Sequence, residues 1–155
     1  MGQSRKPRKV YRPKWNVGTS KLRTQLWKVA AVFDPLTATL DQLERDGTID
    51  VAGNGTAVFK DAVDGNWYDS HVAIMGVVEA YEIHERRQQR NLNLEPLRRI
   101  ANMLKYGMPI GSADTVAARA CLDRMRVETL DMTADYAKQL IKDFQIMEAM
   151  QEIAA

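Results

Sequence analysis

The chain has 155 residues, of which 45% are hydrophobic and 27% charged, with a formal net charge of +2. That length suits one domain with a real core, and the composition is ordinary for a soluble globular protein. No apolar run approaches the roughly 18 residues needed to span a bilayer, and a basic opening without an apolar segment behind it is not a secretory leader.

The charge is unevenly placed. Nine of the 22 Lys and Arg, and none of the 20 Asp and Glu, fall within the first 28 positions. The small overall charge therefore joins a +9 opening to a −7 remainder, and a cationic segment of that kind seeks phosphate or an acidic surface. Lys6 stands where an N-terminal myristoylation signal wants Ser or Thr, so Met1-Gly2 is not read as one. The single Cys121 cannot form an internal disulfide, which points to a reducing, intracellular setting.

Residues 1–18 are expected to form an extended basic arm, and 19–155 a helical domain. Pro7 and Pro13 prevent a continuous helix in the arm, leaving Tyr11 and Trp15 as anchor points. From Ser20 the spacing of Leu22, Leu26, Val29, Ala30 and Phe33 predicts a helix. Asp34-Pro35 predicts a break and a second helix through Leu36, Leu40 and Leu43, with Gly47 as its stop. Residues 48–61, around Gly53-Asn54-Gly55, leave the helical pattern and read as a short hairpin or an irregular, β-like loop.

A helix is predicted from Trp67 to about Arg90, its stripe formed by His71, Ile74, Met75, Val78, Tyr81 and either His84 or Glu85. Asn91–Asn93 connects it to a short helix through Leu94, Leu97, Ile100, Ala101 and Leu104 that stops near Gly107. Ser112 is expected to cap the last helical region, whose stripe runs through Val116, Ala117, Ala120, Leu130, Ala134, Ala137, Ile141 and Phe144. That region is either one helix of about 35 residues, roughly 52 Å long, or two helices. The fold class is mainly α: a single bundle-like domain of about five helices, with a small irregular segment near 48–61 and an extended arm.

The candidate binding residues are Arg5, Lys6, Arg8, Lys9, Arg12 and Lys14 as phosphate or acidic-surface contacts, with Tyr11 and Trp15 stacking on a base or packing in a groove. The competing reading is an arm that folds back on the acidic body. A second basic cluster, Arg86, Arg87, Arg90, Arg98, Arg99 and Lys105, reads more readily as helix-end charge. His71 and His84 are 13 residues apart and diverge by about 140° on one helix, so no metal site is expected. Ser70-His71 lacks the geometry of a nucleophile and its base. Cys121 reads as a core residue, and neither a cofactor nor enzymatic activity is expected.

The arm carries a resemblance. Lys6-Pro7-Arg8-Lys9-Val10-Tyr11-Arg12-Pro13-Lys14 resembles the opening of small uncharacterised proteins of tailed phages, prophages and plasmids. The downstream order is similar too, with Trp67-Tyr68-Asp69 and Tyr136-Ala137-x-x-Leu140. The resemblance implies a mobile-element accessory protein in a bacterial host cytoplasm, or in a virion, and supplies no functional residues. Residues and resemblance together lead to a non-enzymatic protein that binds nucleic acid or an acidic surface of a nucleic-acid-handling host protein, as a regulator or host-directed inhibitor. The alternative is a structural subunit of a phage particle or oligomer whose basic arm contacts neighbours or packaged genome; any homo-oligomer is expected to form through the C-terminal helix. No membrane partner is expected.

Overall fold

The computed structural model describes residues 18–62 and 64–154. Within them the chain forms five helices and one two-stranded sheet: α1 (Leu26–Asp46), β1 (Val58–Lys60), β2 (Trp67–Asp69), α2 (Ser70–Gln88), α3 (Glu95–Lys105), α4 (Ser112–Leu130) and α5 (Ala134–Ala154). Among the described residues, a 3-10 turn, Leu22–Thr24, precedes α1. The mainly helical class, the five helices and the small β segment are as the sequence predicts. No helix among the described residues is long and apolar enough to cross a membrane.

The break expected at Asp34-Pro35 does not occur, and α1 runs through Pro35. Proline removes one backbone donor, but Phe33, Leu36, Leu40 and Leu43 all lie on the buried face, and that burial outweighs one lost hydrogen bond. The Thr39 hydroxyl donates to the Pro35 carbonyl at 2.9 Å. The helix ends at Gly47, whose φ of 74° lets its N–H close on the Leu43 carbonyl. Its start is also later than expected, because Leu26 is exposed while Leu22 turns inward from the 3-10 turn.

Trp67–Asp69 belongs to the sheet rather than to α2. It pairs antiparallel with Val58–Lys60 in the register Val58↔Asp69, Phe59↔Tyr68, Lys60↔Trp67, and the Phe59 and Tyr68 rings stack at 5.8 Å. The acidic residues here serve the backbone. The Asp64 carboxylate accepts from the Asn66 N–H at 2.8 Å and from the Tyr68 hydroxyl. Asp69 caps α2 by accepting from the Val72 N–H at 3.0 Å.

The C-terminal region is two helices. Leu130 ends α4, and the Thr133 hydroxyl accepts from the Tyr136 N–H at the start of α5. The cap of α4 is Gly111 rather than Ser112, and the Asp114 carboxylate accepts from the Gly111 N–H. The buried face of α4 also differs from the expected one. Val116, Ala117 and Ala120 are exposed, and Thr115, Ala118, Cys121, Leu122, Met125 and Thr129 face inward. Two threonines can lie inside because each hydroxyl returns to its own helix, Thr115 to the Ser112 carbonyl and Thr129 to the Met125 carbonyl.

The helices pack in the order α1, α4, α3, α2, α5, each against the next. Their shared core centres on Phe33, Val78, Leu97, Ile100, Cys121 and Met125, all essentially inaccessible. Burial pushes the Cys121 thiol up, with Arg124 opposing, in keeping with a core role. Arg124 also clamps the α2–α3 connection by donating to the carbonyls of Leu92 and Asn93.

Among the described residues, the Ser70 hydroxyl is the one buried side-chain oxygen without a hydrogen-bond partner. Leaving such a group unpaired costs about 1–3 kcal/mol. Ser70→Ala is therefore expected to raise the unfolding free energy by about 1 kcal/mol, read from the urea midpoint at unchanged slope. A lower midpoint would show that the hydroxyl contributes to the fold.

Candidate binding groove

The eight arm residues singled out from the sequence, Arg5, Lys6, Arg8, Lys9, Tyr11, Arg12, Lys14 and Trp15, lie outside the described residues. What the structure places is the point where the arm joins the body. The Gly18 carbonyl accepts from the Asp135 N–H at 2.8 Å, the Ser20 carbonyl from the Ala134 N–H at 3.1 Å, and the Leu22 N–H donates to the Met132 carbonyl at 2.8 Å. Lys21 and Thr133 form an antiparallel bridge. The segment thus runs backward along residues 132–135 and satisfies two of the free N–H groups that open α5. Approach is close enough that a Cβ at Gly18 would run into the Asp135 carboxylate.

Beside this junction an apolar groove of about 840 Å³ opens between α1, α2 and α5. It lies where the helix order leaves the bundle unclosed, since α1 and α5 are the two ends of that order. Small residues on α2, namely Ala73, Gly76 and Ala80, form the floor, and the Phe144 ring of α5 lies over Gly76. Trp27 and Val32 form the α1 wall, and Ala137, Ile141 and Phe144 the α5 wall. Trp27 is 70% exposed, Val72 59% and Ile141 51%. Ile141 was expected in the core with Phe144; instead Leu140 is the buried α5 residue and Phe144 is half-buried. Gly18 and Leu22 form one end of the groove, and Gln145 and Glu148 the other.

In the second basic cluster Arg86 and Lys105 are exposed, and the other four residues are ion-paired within the body. Arg87 pairs with Asp143, Arg90 with Glu128, Arg98 with Glu82 and Glu95, and Arg99 with Asp114. Arg119 likewise spans from α4 to Asp41 and Glu44 on α1. The hydrogen bond from Arg119, working against burial, holds the Glu44 carboxyl below its usual range.

The sequence missed one polar cluster. His84, 4% exposed, places Nδ1 2.6 Å from the Tyr136 hydroxyl and Nε2 2.9 Å from Glu128 Oε1. Arg90 donates to the other Glu128 oxygen at 2.9 Å. A neutral imidazole satisfies this set: Nε2–H donates to the carboxylate and the tyrosine O–H donates to Nδ1. Both ring nitrogens are engaged, so the cluster pins α2, α4 and α5 together. Next to it the buried Tyr81 hydroxyl meets Thr129, and burial pushes that phenol up to about 12. His71 sits apart, donating from Nδ1 to the Ala101 carbonyl at 3.0 Å. No group of three or more His, Cys, Asp or Glu among the described residues is placed to hold a metal. The only sequence signal for the pin was a histidine on the apolar stripe of α2; its partners, 44 and 52 residues away, left no local trace.

No family model, no curated protein and no solved structure matches the chain.

Burial opposes ionisation of Glu128, yet the hydrogen bonds from His84 and Arg90 prevail and hold its carboxyl below the usual range. A depressed carboxylate pKa means stability that is fully present above the unfolded value of about 4.3 and lost as pH falls through the folded one. Glu128→Ala is therefore expected to cost about 2 kcal/mol at neutral pH and to flatten the loss of stability below about pH 4.5. Urea melts of both proteins between neutral and acidic pH measure this. Parallel acid limbs would remove Glu128 from the account.

Proposed function

We propose that the chain is a non-enzymatic binding protein whose N-terminal arm grips a polyanion, with nucleic acid the preferred partner and an acidic face of a nucleic-acid-handling protein the alternative. The observation that carries this reading is the run of nine cations without one acid at positions 5–28. Ion pairing in the body supports it. Arg87, Arg90, Arg98, Arg99 and Arg119 are matched to the body's own carboxylates, so the second basic cluster is a poor rival for a phosphate backbone. The resemblance of the arm to small phage, prophage and plasmid proteins favours a mobile-element accessory role in a host cytoplasm, as a regulator or a host-directed inhibitor. In this role the arm cations contact phosphates, which position a partner without reading its sequence.

A second reading is a structural subunit of a particle or oligomer. The observation favouring it is the outer end of α5, where Ile146, Met150 and Ile153 are all exposed. A defined oligomer of the purified full chain by light scattering, with no nucleic acid bound, would move the balance to this reading.

The leading proposal is tested by titrating the chain, and a variant with Arg5, Lys6, Arg8, Lys9, Arg12 and Lys14 all changed to Ala, against a mixed-sequence duplex and a single strand. Each phosphate contact contributes about −0.9 to the slope of log affinity against log salt on a duplex. The parent chain is expected to bind with a steep slope, and the six-fold variant to lose orders of magnitude at moderate salt. Equal, salt-insensitive affinities would sink the nucleic-acid assignment. A pull-down from bacterial lysate, with and without nuclease, then separates a nucleic-acid partner from an acidic protein.

A further inference from the structure

The α5 wall of the groove between α1, α2 and α5 is complementary to itself. We propose that the groove holds α5 of a second copy of this chain, lying antiparallel to the first about a twofold axis near position 143. The inference rests on the second reading above, in which copies associate through α5, and gives that association its surface and direction. The arm's binding of a polyanion does not depend on it.

Three observations carry the assignment. The first is spacing. On the α5 wall Ala134, Ala137, Ile141, Phe144 and Glu148 follow one another at alternating steps of three and four residues. That is the spacing of a face that packs along another helix, and it runs for about 21 Å at 1.5 Å per residue. The floor is made of small residues, Ala73, Gly76 and Ala80, which leaves depth for a helix. Trp27 and Val72, both exposed on the groove, flank the inserted helix.

The second is charge. Lys138 and Glu148 line the groove five residues to either side of position 143. Both are exposed, and no ion pair among the described residues engages either. An antiparallel pair sets Glu148 of the second copy opposite Lys138, and the twofold axis repeats the match at the other end. A parallel pair would set lysine on lysine and glutamate on glutamate, which is repulsive. Lys28 and Asp135 also line the groove, and their charges offset each other.

The third is shape and local repulsion. The same register places Ile141 against Phe144 of the second copy, and the small Ala137 against the longer Glu148. Glu148 also stands among acids. Burial and the charges of Glu82 and Glu148 raise the Glu79 carboxyl above its usual range, against weaker opposition from His71 and Arg98. A lysine supplied there by the second copy relieves that repulsion.

Sedimentation of the full chain, freed of nucleic acid and held at low salt, tests the pair over a wide concentration range. The variants are Lys138→Glu and Glu148→Lys, each alone and then mixed in equal amounts. The parent is expected to be a concentration-dependent dimer. Each variant alone is expected to pair at least about tenfold more weakly, because like charges then meet at both ends. The mixture is expected to pair about as tightly as the parent, because each copy offers the sign that the other lacks. A misfolded variant could not produce that recovery. A parent that is monomeric at every concentration overturns the pair, as does a mixture as weak as either variant alone. An oligomer that ignores both charge reversals also overturns it, yet leaves the second reading standing on another surface.

Discussion

The backbone ladder between residues 18–22 and 132–135 is the constraint on which the outer half of the molecule depends. It ties the start of the described chain to the joint between the fourth and fifth helices and supplies acceptors to the opening N–H groups of α5. At the joint itself the Thr133 hydroxyl also accepts from the Tyr136 N–H. With the ladder, α5 leaves the body in a fixed direction, packs on α2, and stands apart from α1. The groove is the space left by that departure. Arg23, pairing with Asp131 beside the ladder, adds an exposed ion pair of small weight.

Apolar burial gives the bundle its cohesion, and a few polar contacts choose its geometry. Phe33 and Tyr81 meet edge-on between α1 and α2. A tyrosine placed there must find a partner for its hydroxyl, and Thr129 on α4 supplies it. One turn further, His84 reaches Tyr136 and Glu128. These groups are buried or half-buried, so a shift of one helix along another would leave them unpaired at a cost of about 1–3 kcal/mol each. Alternative packings of the same apolar stripes are disfavoured for that reason. The exposed pairs, such as Arg119 with Asp41 and Glu44, reinforce a packing already selected.

Fold class was legible because it rests on periodicity. Ile74, Val78 and Tyr81 on α2, and Leu97, Ile100 and Ala101 on α3, are buried as their spacing predicts. Three features escaped because tertiary packing overrode a local rule. Pro35 signals a helix start, yet the apolar face on both sides of it carries α1 through. Thr115 and Thr129 look polar in sequence, yet they bond to their own backbone and lie inside, which turns Val116 outward. Trp67-Tyr68-Asp69 has the spacing of a helix start, but pairing with Val58–Lys60 makes it a strand. The groove had no sequence signature, because it is made by three helices distant in the chain. The arm was legible as charge, and its chosen residues lie outside the described part.

Cys121 gives the body an internal clock. Its sulfur is wholly inaccessible, 3.8 Å from the Met125 sulfur and central to the packing of α4 against its neighbours. It is the chain's single thiol, and burial disfavours the reactive thiolate. An alkylating reagent can reach it only when the helices part. With closing faster than chemistry, the labelling rate reports the free energy of that parting directly. The native sequence therefore carries its own probe of core breathing. Because the arm contains no cysteine, the reagent reports on opening of the bundle alone.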